Sequence, residues 1–130
     1  MNEQNEPIFL SLDEVLRLHA KSLAEHSGSD GIRELGLVES ALASAKNTFH
    51  YLKGDLFDIA ASYAFHLAES QAFIDGNKRT AVAAAMVFLA RNGAYAQPPK
   101  WELYLAIIAI AEKKKNKTDL AVIFRKCAEQ

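Results

Sequence analysis

The stretch from Asn77 to Arg91 does most to constrain the fold: it is rich in alanine, opens after Asp75-Gly76 and closes at Asn92-Gly93. Glycine readily takes the left-handed conformation that ends helices, so this pattern predicts one helix with both ends marked. Its longest apolar run, Ala81 to Ala90, falls well short of the roughly 18 residues that a membrane span requires. Alanines suit close helix packing, so a buried core helix is expected and no membrane association. At 130 residues, half of them hydrophobic, the chain is long enough to bury such a core without metal or disulfide support. A single domain over residues 1–130 is the expectation.

The remaining segments also carry helical signals. Ser11-Leu12-Asp13-Glu14 is a capping box, with Leu10 and Val15 placed as a hydrophobic staple, and Leu12, Val15, Leu16 and Leu23 give the following helix a partial apolar face. His26-Ser27-Gly28-Ser29-Asp30-Gly31 ends it in a loop. A shorter second helix is expected near Leu37 to Ala45. A third runs from about Leu56 to Ser70, where Leu56, Ile59, Ala60, Tyr63 and Leu67 keep helical spacing. After Gln97-Pro98-Pro99-Lys100 a fifth helix, with a proline start, runs to about Lys114. Lys113, Lys114, Lys115 and Lys117 then read as its solvated end. Thr118-Asp119 is placed to cap a last helix, in which Leu120, Val122, Ile123 and Phe124 supply packing surface. The sum is all α, a compact bundle of about six helices, with Pro7 to Leu10 and Ala94 to Ala96 as the segments that suit brief extension.

Charge and cysteine usage narrow the function classes. A net charge of -1 argues against a general polyanion-binding surface, so DNA binding by the chain itself is not expected. The single cysteine, Cys127, suits a reducing compartment, and Met1 to Pro7 is polar and acidic where a signal peptide starts basic and turns apolar; cytoplasm is the expected location. Without a Cys/His cluster or paired histidines at ligand spacing, no structural zinc site is expected.

The chemistry gathers in Gln71-Ala72-Phe73-Ile74-Asp75-Gly76-Asn77-Lys78-Arg79-Thr80. Asp75-Gly76-Asn77 at a helix entrance leaves successive backbone N–H groups unpaired, which suits multidentate binding of an oxyanion, with Gly76 permitting close approach. Lys78 adds a point charge, and Arg79 a fork that can grip phosphate bidentately. Asp75 can hold Mg²⁺ by one carboxylate oxygen while nucleotide phosphates supply others. Phe73 and Ile74 are expected to anchor the loop in the core. The plainer alternative is a turn with a helix cap and two solvated cations. Cations at a helix N-terminus oppose the macrodipole, however, which favours an anion there.

Phe73-Ile74-Asp75-Gly76-Asn77-Lys78-Arg79-Thr80 resembles the signature loop of the Fic/Doc family, in its Doc (death-on-curing) branch. Gly31-Ile32-Arg33 through Gly36-Leu37-Val38-Glu39-Ser40-Ala41-Leu42 resembles the branch's upstream block, and Phe88-Leu89-Ala90-Arg91-Asn92-Gly93 its helix end. The resemblance implies a helical toxin of a bacterial toxin–antitoxin pair that uses ATP, with Mg²⁺, to modify a protein hydroxyl. For the Doc branch it implies phosphate transfer to a threonine of elongation factor Tu; in the wider family AMP transfer is commoner. By position Asp75 matches the family's metal-binding acid, Asn77, Lys78 and Arg79 its anion-hole and phosphate-binding group, and Gly76 its tight turn.

The family pattern opens with a histidine that acts as general base, and Gln71 stands at that position. A glutamine amide can orient a hydroxyl but cannot take its proton, and losing a positioned base typically costs ~10²–10⁴-fold in rate. Two readings follow: a transferase weakened by Gln71, and a catalytically degenerate module that binds a nucleotide or an antitoxin. His66, five residues before Gln71, lies about 140° around the helix from it and is not expected to substitute; His19, His26 and His50 have no motif around them. Arg33 and Glu39 are expected to serve a salt bridge or helix cap rather than substrate. No inhibitory helix motif of the family's kind is found, so inhibition is expected from a separate antitoxin.

Overall fold

The computed structural model describes residues 6–94 and 100–128. The chain is all α: α1 (Leu12–His26), α2 (Leu35–His50), α3 (Leu56–Ser70), α4 (Asn77–Arg91), α5 (Lys100–Ala111) and α6 (Lys117–Ala128). The third and fourth helices have the bounds their periodicity and end signals predict. Ile59, Ala60, Ala61, Tyr63, Ala64, Leu67 and Ala68 are all buried on α3, and a helix apolar nearly all round belongs at the centre. It packs against α4, α2, α6 and α5, while α1 lies on α4. Ala81, Ala84 and Ala85 are fully buried on α4, so small side chains let α3 and α4 approach closely.

α1 starts as expected: Ser11 Oγ accepts from the Glu14 N–H (3.2 Å), and the Glu14 carboxylate accepts from the Ser11 N–H (2.9 Å). Leu10 and Val15 are both buried, and the Leu10 N–H donates to the Tyr63 hydroxyl (2.9 Å). Burial pushes the Tyr63 phenol up to about 12. The Arg91 guanidinium, at the end of α4, pairs with Glu14 and holds its carboxyl down at about 2. Gly93 and Ala94 donate back to Ala90 and Leu89, closing α4.

Several ends differ from expectation. α2 begins earlier and runs through Lys46-Asn47-Thr48 to His50, because Ala45 and Thr48 are buried and Thr48 Oγ1 donates to the Ser44 carbonyl (2.9 Å). Tertiary burial overrides the weak helix propensity of Asn47 and Thr48. α5 stops at Ala111 rather than near Lys114. Lys113 takes a left-handed φ of 63°, its N–H donates to Ile110 and that of Lys114 to Ala109, a Schellman closure made without glycine. Lys113, Lys114 and Lys115 are exposed beyond the helix, but Lys117 is not a solvated end: its Nζ lies 3.0 Å from His66 Nε2 and over the Phe65 ring. α6 is capped by Asn116 with Asp119 in a reciprocal box, not by Thr118. α3 has a similar box of Asp55 and Asp58.

No strand forms among the described residues. Pro7 to Leu10 has no ladder partner; the Asn92 amide instead bonds both the N–H (2.8 Å) and the carbonyl (3.1 Å) of Ile8. An isolated antiparallel bridge joins Ile32 to Phe73, where no strand was expected. The proline start expected for α5 and most of Ala94 to Ala96 lie outside the described residues. No described helix is long and apolar enough to cross a membrane.

Candidate functional site

The connection from α3 to α4 is a tight loop held by its own side chains. α3 ends at Ser70, and Gln71 takes a left-handed conformation (φ 58°, ψ 41°) that turns the chain out of the helix. Ala72 and Phe73 are buried, and the Ala72 carbonyl accepts from the N–H groups of both Arg33 and Glu34 (2.8 and 3.0 Å). Those backbone bonds tie the segment before α2 to the loop. The Arg33 and Glu39 side chains are exposed and form no ion pair among the described residues, so the expected salt bridge or cap role is not what the block supplies. Ile74 is half exposed (50%), lying over Gly31 rather than in the core, so the anchoring role expected of it falls to Phe73 alone.

Asn77 and Gly76 each commit polar groups within the loop. The Asn77 amide accepts from the Phe73 N–H (3.0 Å) and donates to the Phe73 carbonyl (2.9 Å), so its side chain fastens the loop and keeps one Nδ2 hydrogen beyond those bonds. The Gly76 N–H is taken by Asp75 Oδ1 (2.9 Å). The first bond of α4 runs from the Thr80 N–H to the Gly76 carbonyl (2.9 Å), which leaves the N–H groups of Asn77, Lys78 and Arg79 without a partner among the described residues. Gly76 itself sits at φ 81°, a conformation that lets the loop turn sharply into the helix.

Gln71, Ile74, Asp75, Gly76, Asn77, Lys78 and Arg79 line one cleft of about 270 Å³, together with Ala68. The six residues singled out in the sequence are thus brought together. The Asp75 carboxyl is exposed, and the N–H groups of Ser29 (3.3 Å) and Gly76 hold it below the usual carboxylate range, with smaller help from the charge of Arg79 and from His19. Arg79 donates from Nε to Ser22 Oγ (2.9 Å) and from Nη2 to the Ser27 carbonyl (3.1 Å), keeping Nη1 and one Nη2 hydrogen for a ligand. The donor set suits Mg²⁺ in one form. Each Asp75 oxygen accepts a single N–H and retains a lone pair, and no second acid lines the cleft, so the ion would arrive with phosphates that complete its ligands.

His66 lies away from this cleft. It is half buried against Lys117, and burial together with that ammonium lowers its pKa. His19, by contrast, belongs to the site although no motif surrounds it. It is only 3% exposed, its Nε2 lies 2.8 Å from the Asp75 carbonyl oxygen, and its ring stacks on Phe73 at 3.8 Å. The sequence signal for it was helical spacing: Val15, His19 and Ser22 form the buried face of α1.

A loop of this geometry, running from a central helix into an alanine-rich helix with its first amides open, coincides with what the family comparison finds. The Fic/DOC family model matches residues 9–89, which covers α1 through most of α4. This chain belongs to the Fic/Doc family. Among curated relatives it is 33% identical over 85 residues to the protein kinase doc of Escherichia phage P1, a match covering 65% of this chain and 68% of that protein. It is 39% identical over 87 residues to the toxin Doc of Mycolicibacterium smegmatis, covering 65% of each chain. Both place it in the Doc branch of the Fic/Doc family.

Proposed function

We propose that this protein is a Doc-like toxin of a bacterial toxin–antitoxin pair that uses ATP and Mg²⁺ to transfer phosphate to a hydroxyl of a protein, with elongation factor Tu as the target and an antitoxin as its controlling partner. One observation carries the reading. Three amides without a partner among the described residues, Lys78 and the free edge of the Arg79 guanidinium border one cleft with Asp75, in a chain similar to a protein kinase. Cations in the first turn of α4 oppose its macrodipole, and a bound triphosphate removes that conflict.

In this reading the amides of Asn77, Lys78 and Arg79 hold the phosphates, and Arg79 and Lys78 offset the charge that builds on the transferred group. Asp75 supplies a ligand to the Mg²⁺ that accompanies the nucleotide. A bond forms between the target hydroxyl oxygen and the γ-phosphorus as the bridge to the β-phosphate breaks, ADP leaves, and the hydroxyl proton passes to a phosphate oxygen or to water. Gln71 orients the hydroxyl without accepting that proton. Because phosphoryl transfer is largely dissociative, the missing base slows the reaction rather than abolishing it. AMP transfer to the hydroxyl is the other chemistry this cleft admits.

Gln71 also favours a second reading, a degenerate module that binds a nucleotide or an antitoxin without transferring anything. Incubating purified protein and its Gln71→His variant with elongation factor Tu and labelled ATP separates the two. Labelling by the parent, raised ~10²–10⁴-fold in the histidine variant, is expected. A silent parent beside an active variant supports the degenerate module; silence from both removes the transferase reading.

A further inference from the structure

α1 reaches the phosphate loop through side chains that a purely packing helix would not need. His19 and Ser22 sit one turn apart on its buried face. A carbonyl oxygen only accepts, so the 2.8 Å contact to Asp75 puts the hydrogen of His19 on Nε2. The same ring lies flat on Phe73 (10° between planes), and a Cβ at Gly76 would stand 3.5 Å from its Cδ2, so one histidine borders the loop at Phe73, Asp75 and Gly76. Ser22 Oγ accepts from Arg79 Nε, and the chain just beyond α1 adds the Ser27 carbonyl on Nη2. Ser27 adopts φ 59° and ψ -177°, a region that non-glycine residues avoid, and this is the conformation that delivers its carbonyl to the guanidinium. Next to it Gly28 passes so close to Asp75 that a Cβ there would lie 2.9 Å from Oδ2. The inner edge of Arg79 is therefore fixed from behind while its outer edge faces the cleft, and an arginine so held loses less rotamer freedom when it grips phosphate.

We propose that His19 and Ser22 are positioning residues of this site: His19 sets the Asp75–Gly76 peptide, Ser22 sets the fork of Arg79, and both do so before a nucleotide arrives. The proposal rests on the reading of the loop as a phosphate site, and it is tested by two measurements, one of which needs no nucleotide. In the full chain, His19→Phe keeps a flat ring and removes the donor, Ser22→Ala removes the acceptor, and Ser22→Thr restores it.

The first measurement is hydrogen exchange at the amides of Phe73, Ile74, Gly76 and Thr80, which are bonded in the loop. About tenfold faster exchange there is expected in His19→Phe, with the amides in the middle of α3 and α4 protected as in the parent. The second is affinity for Mg·ATP, expected to fall about tenfold in His19→Phe and several-fold in Ser22→Ala, with recovery in Ser22→Thr. Unchanged loop exchange in His19→Phe overturns its part of the proposal, and so does an equal loss of protection throughout α3 and α4, the mark of an ordinary core residue. Equal affinities in Ser22→Ala and the parent overturn the role of Ser22. If the parent binds no Mg·ATP, the functional reading and the role of Ser22 fall together, and the exchange result still decides His19.

Discussion

Asn77 shows how a residue can stand in a binding motif and serve the fold. Its amide uses one acceptor and one donor on the backbone of Phe73, where the loop leaves the core. Asn77→Ala strands both groups of a partly buried peptide, and a loss of roughly 2–3 kcal/mol is expected in urea unfolding. Asn77→Asp keeps the acceptor alone and should fall between the two. Gln71 presents the opposite case. Its left-handed backbone suits the turn out of α3, and its side chain lines the cleft without basicity, so its replacement by histidine changes chemistry more than folding.

At the scale of the element, α4 is specified by what it lacks. Ala81, Ala84 and Ala85 have no exposed surface, and α3 packs directly over this helix. Ala85→Leu forces the two helices apart and should destabilise the protein by roughly 1–3 kcal/mol, visible as a lower denaturant midpoint. The pairing of α4 with the start of α1 is electrostatic and depends on pH. The Glu14 carboxyl lies at about 2 against an ordinary 4.5, chiefly because Arg91 hydrogen-bonds the charged form. A depressed folded value stabilises the native state above the unfolded value, and that contribution is lost as pH falls from 4.5 towards 2. Glu14→Gln retains the reciprocal cap and removes the charge. The stability gap between parent and variant should therefore be full near neutrality and shrink below pH 4.5, as followed by unfolding at a series of pH values.

On the scale of the whole molecule, the α3–α4 loop that lines the cleft is held by segments far apart in the chain: the backbone before α2, and the end of α1 with its loop. A ligand bridging Asp75 and Arg79 ties those segments together, so Mg·ATP should raise the thermal midpoint, by roughly 2.7 kcal/mol of stability at a hundredfold excess over Kd. Arg79→Ala should lose that shift in a thermal scan. The helices α3 and α4, their ends and the cap of α1 were legible in the sequence, because each rests on contacts within a turn or two of chain. The family resemblance could be read there too, since Phe73 to Thr80 is one continuous run. Helix ends set by burial or by a remote partner were not legible, as α2 and Lys117 show. Nor was the fate of each polar group. Whether a histidine without a motif joins the site depends on which segments meet across more than fifty residues of chain. Local sequence determined the loop and the helix it opens; only packing decided which of its hydrogen-bonding groups remain free, because a buried donor or acceptor takes whatever partner the fold brings within reach.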